Sequence, residues 1–75
     1  MSEYMFGIIS KNLNESQIEK LDNICKEEGG WGFTWYRDPG TRRSYGWFSG
    51  PNLGAPFDRD LRERVMERVS PIIGD

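Results

Sequence analysis

The sequence predicts a small α+β domain of order β-α-β-β-α, in which a three-stranded sheet carries two helices on one face. Three observations lead there. Residues 4–9 form a short apolar run, residues 14–28 and 58–70 carry apolar side chains at helical spacing, and two aromatic segments between them are joined by Asp38-Pro39-Gly40. With 75 residues there is room for one core, so residues 1–75 are expected to form a single domain.

The run Tyr4-Met5-Phe6-Gly7-Ile8-Ile9 is rich in strand formers and suits a first strand covered on at least one face. Asn14 is placed to cap a helix, with Gln17 in the capping-box position, Glu15 at the positive end of the helix dipole and Leu13 in the staple position. Ile18, Leu21, Ile24 and Cys25 form the apolar stripe of that helix, and Gly29-Gly30 stops it. Trp31–Arg37 and Thr41–Ser49 then read as a hairpin closed by a type II turn, with Pro39 fixing φ and Gly40 in the left-handed position. A two-residue loop pairs Phe33 with Gly46, Trp35 with Ser44 and Gly32 with Trp47, setting large rings across from small residues.

Gly50–Pro56 is too heavily punctuated for regular structure and reads as a loop. Asp58 is expected to cap the last helix, whose stripe Leu61, Val65 and Val69 is widened by Phe57 and Met66 and ended by Ser70-Pro71, with Asp60 and Arg64 paired on its solvent side. A split β-α-β arrangement gives strand order 1-3-2, with the first strand antiparallel to the third. Order 3-2-1, with strands 1 and 2 parallel, is the alternative.

Composition narrows the chemistry. With no histidine and one cysteine, neither an internal disulfide nor a zinc site can be assembled, and no metal or cofactor is expected. The start of the chain has neither a basic leader nor a long apolar run, which leads to the expectation of a cytoplasmic protein without a membrane partner. A net charge of -2 argues against a non-specific grip on duplex DNA. The charge is uneven, however: residues 31–50 carry Arg37, Arg42 and Arg43 against Asp38 alone.

Seven of the ten aromatic residues fall within positions 31–48, so the hairpin is where a function is sought first. Strand alternation sorts them into Trp31, Phe33, Trp35 and Phe48 on one face, and Tyr36, Tyr45 and Trp47 with Thr34 and Arg43 on the other. The wholly apolar set is the natural core face. That leaves Tyr36, Arg37, Arg42, Arg43, Tyr45 and Trp47 as candidate partner-binding residues, a composition that gives rigid area with polar tips. The expectation is a non-enzymatic module that binds a protein or a second copy of itself, with unpaired nucleic-acid bases stacking on the same face as the alternative. A purely structural reading makes the same residues cover for a thin sheet.

Other chemistry finds less support. Gly50–Ala55 matches neither phosphate-loop pattern, and Asp58 and Asp60 put negative charge where an anion would sit. Cys25 lies on an apolar stripe and reads as a core thiol. Glu63 and Glu67 sit among arginines as a solvated face.

Overall fold

In the computed structural model, which describes residues 2–41 and 44–74, the order is β1 (Glu3–Ile9), α1 (Glu15–Glu27), β2 (Gly32–Arg37), β3 (Ser44–Pro51) and α2 (Phe57–Ile73). The three strands form one antiparallel sheet of order β1-β3-β2, the split arrangement expected from the sequence. Both helices lie on one face of it, α1 against β2 and α2 against β1. Phe6, Ile9, Phe33 and Phe48 from the sheet meet Leu21 and Cys25 of α1 and Leu61, Val65, Val69 and Ile73 of α2, with Leu13 closing one end. Leu21 and Phe48 are completely buried. Each such side chain contributes about 1.5–3 kcal/mol on leaving water.

The first helix begins and ends as its residues dictate. Asn14 accepts from the Gln17 backbone N–H at 2.8 Å, and the Gln17 side chain accepts in return from the Asn14 N–H at 2.9 Å. After Glu28, Gly29 takes φ +103 and the Gly30 N–H returns to the Cys25 carbonyl at 2.8 Å.

Several local readings change. The hairpin register is shifted by two residues, so Phe33 pairs with Phe48, Trp35 with Gly46 and Arg37 with Ser44. Gly40 does not have positive φ, which rules out the type II turn. Instead the Asp38 carboxylate accepts from the Gly40 N–H at 2.8 Å and turns the chain locally. The shift places Phe33 against Phe48 in the core, where their rings meet at 4.8 Å. Because the shift is even, every strand residue keeps its face. Trp31 lies before β2 and is about half exposed, so it does not join the core.

The other changes concern loop and helix ends. β3 continues through Gly50 and Pro51, since both pair with β1. Helix α2 starts after Pro56 with no side-chain cap. Asp58 already lies in its first turn, where its carboxylate accepts from the Arg59 N–H at 2.8 Å. Phe57 remains exposed because core packing begins one turn later, at Leu61. The helix also passes Ser70-Pro71 and ends at Ile73, capped by Gly74 at φ +82. Continuing buries Ile73 at the same spacing of four and brings its carbonyl to the Lys11 ammonium at 2.7 Å, which offsets the bond that Pro71 cannot make. Arg64 pairs with Glu28 rather than Asp60. Glu28 lies at the end of α1 and receives both Arg64 at 3.1 Å and Arg68 at 2.9 Å, while Arg68 also meets Glu27 at 2.8 Å.

Candidate functional site

The face of the sheet opposite the helices is built by strand alternation and one irregularity. On β2 and β3, alternation turns Thr34, Tyr36, Tyr45 and Trp47 away from the core, and cross-strand pairing sets Thr34 beside Trp47 and Tyr36 beside Tyr45. The three rings form a mutual cluster. Tyr36 lies 5.7 Å from Tyr45 and 5.6 Å from Trp47, Tyr45 and Trp47 are 6.2 Å apart, and all three pairs are tilted by about 25°. Such offset stacking adds about 0.5–1.5 kcal/mol per pair beyond burial. The tyrosines are nevertheless 51% and 42% exposed, so the cluster is rigid and open together.

On β1 the pairing slips between Phe6, opposite Phe48, and Ile9, opposite Gly46. Gly7 and Ile8 together face Trp47, and Gly7 adopts φ +64. This is a β-bulge with glycine in the left-handed position. It lets both Phe6 and Ile9 point into the core and turns Ile8 outward with Met5. Ile8 is 79% exposed and Met5 60%. Ile8 escapes simple alternation, which groups it with Phe6. The signal was Gly7 itself, because a glycine inside a strand run marks a bulge.

Met5, Phe6, Gly7, Ile8 and Trp47 line an open apolar groove of about 460 Å³ beside the ring cluster. Among the described strand residues, Glu3 at the end of β1 and Arg37 are the charged ones, and only Glu3 shares the outward face. Arg37 alternates to the helix side, where its guanidinium lies 5.8 Å from the ring of half-buried Trp35. The structure thus brings Tyr36, Tyr45 and Trp47 together and sets Arg37 on the opposite face. Arg42 and Arg43 lie outside the described residues.

Among the described residues, the titratable groups with displaced pKa values lie away from this face. Burial pushes the Cys25 thiol up, and the thiol donates to the Ser49 carbonyl at 3.5 Å. At Asp22 partial burial acts upward, but hydrogen bonds from Lys26 and the Phe33 N–H, together with the Lys26 charge, outweigh it and hold the carboxyl below its usual range. Carboxylates Glu27 and Glu28 raise the Arg68 guanidinium further. Among the described residues there is no group of three or more metal-ligating side chains, and no helix is long and apolar enough to cross a membrane.

The fold and this face define a small α+β domain with one uncovered aromatic sheet surface. Compared with protein-family models, curated proteins and solved structures, the chain finds no match in any of the three.

Proposed function

We propose that the chain is a non-enzymatic binding module of the cytosol, whose uncovered sheet face docks a protein partner. The observation that carries this reading is the combination on one face of a rigid Tyr36-Tyr45-Trp47 cluster with the exposed Met5 and Ile8. A short sheet needs no isoleucine in water for its own stability. Contiguous apolar surface of this kind, with aromatic anchors at its centre, is what interaction sites present. Protein is favoured over unpaired nucleic acid as the partner because the neighbours of the rings are apolar and Arg37 lies on the other face.

The test is affinity capture from the native host with the wild-type chain and a Tyr36→Ser, Trp47→Ser variant side by side. A protein retained by the first and lost by the second is the expected result. Identical retention by both refutes the face as the binding site. Salt-sensitive quenching of the tryptophans by an oligonucleotide would instead favour nucleic acid.

A further inference from the structure

Taking the uncovered face as a binding surface, we infer that its occupant is a second copy of this chain, packed face to face about a two-fold axis near Trp47. The face carries a ridge and a groove side by side. Tyr36 on β2 and Tyr45, two residues before Trp47 on β3, form the ridge, and the 460 Å³ groove of Met5, Gly7 and Ile8 lies on the β1 side of Trp47. A two-fold axis lying in the plane of the face at Trp47 lays the ridge of each copy into the groove of the other, the self-complementarity that an isologous interface requires.

Area and charge agree with this occupant. From the exposed fractions of Met5, Ile8, Tyr36 and Tyr45, the apolar face offers roughly 500 Å² when large side chains present about 150–250 Å² each. Pairing two faces removes roughly 1,000 Å², the lower bound for a specific interface. With Glu3 the one outward-facing charge among the described strand residues, two copies meet without like-charge repulsion across the centre. A core of 75 residues is also of the size that gains from a partner subunit.

Sedimentation equilibrium of the full chain from about 1 to 300 µM tests the inference. The expected result is a mass that rises from 8.7 kDa toward twice that value. Ile8→Lys in the groove and the double variant Tyr36→Ser, Tyr45→Ser in the ridge should each weaken association more than tenfold, with unchanged far-ultraviolet circular dichroism. Met5→Lys serves as a second groove variant if one of these misfolds. An equimolar mixture of groove and ridge variants retains one intact ridge-in-groove contact and should be heavier than either variant alone. A wild type that stays monomeric overturns self-association, as do variants that dimerise like the wild type, and a mixture without recovery refutes the two-fold geometry. A monomeric wild type still leaves the face to the capture experiment, so the two readings fail separately.

Discussion

Asp22 ties α1 to the start of β2, and its removal should cost a large share of the stability. Its Oδ1 accepts from the Phe33 N–H at 2.9 Å and its Oδ2 meets Lys26 at 2.9 Å. A bond to a charged acceptor contributes about 1.5–3 kcal/mol. The carboxylate is 30% exposed and the lysine more so, which selects the lower end of that range and leaves the ion pair near 0.3–0.5 kcal/mol. Asp22→Ala is therefore expected to lose about 1.5–2 kcal/mol out of roughly 3–5 for a core of this size. At about 4–8 °C per kcal/mol, the Tm falls by roughly 6–16 °C. Asp22→Asn keeps an acceptor for Phe33 and should lose about half as much. The sign with pH follows from the lowered pKa: the contribution is complete above the unfolded carboxyl value near 3.9 and disappears as pH falls through the lower folded value. Urea titrations followed by tryptophan fluorescence at about pH 7, 5 and 2.5 measure this. An alanine variant within about 0.5 kcal/mol of wild type at neutral pH, or a gap that stays constant on acidification, refutes the reasoning.

Leu21→Ala, at a fully buried position, should cost about 2–5 kcal/mol, most of the stability of a core this size, and lower the thermal midpoint sharply, read by circular dichroism. Gly46→Ala should cost about 1–3 kcal/mol in urea titration, because a Cβ there stands 2.5 Å from both the Phe33 ring and the Thr34 carbonyl, and backbone cannot yield cheaply. Cys25 should react with a thiol reagent only as fast as the domain opens. Since burial raises its pKa, its stabilising contribution is full below the unfolded thiol value near 8.5 and falls as pH rises beyond it, a slope that Cys25→Ala removes. Tyr36→Ser, which loses the ring pairs with Tyr45 and Trp47, should lower the urea midpoint by the equivalent of about 1–3 kcal/mol and weaken association.

How much of this was legible in the sequence depended on the range of the interactions involved. Asn14 with Gln17, Gly29-Gly30 and the period-two sorting of the hairpin rings are settled by neighbours in the chain, and the helices and the two faces of β2 and β3 follow from them. The hairpin register was not, because Pro39-Gly40 suggested a two-residue turn while the packing of Phe33 on Phe48 set the pairing from outside it. The end of α2 was misplaced for the same reason. Pro71 is a local stop signal, but burial of Ile73 against the rest of the core carries the helix past it. Glu28 receives Arg64 and Arg68 from 36 and 40 positions away, and no local spacing rule reaches such pairs.

The bulge at Gly7 connects the fold to the association proposed for the open face. β1 is an edge strand, and a long flat edge invites other chains to add strands to it. The bulge interrupts that ladder, so the edge is poorly suited to pairing. By the same displacement it sends Ile9 inward and Ile8 outward, adding apolar area to the face while denying it to the edge. A side chain at position 7 could not take its place, since a Cβ would fall 2.6 Å from the Met66 sulfur at a φ of +64 that other residues rarely adopt. One glycine thus discourages edge-to-edge pairing and supplies the groove that the proposed face-to-face pairing uses. The exposed isoleucine follows from how β1 is built, and its position beside Trp47 adds its apolar area to the proposed docking face and not to the strand edge.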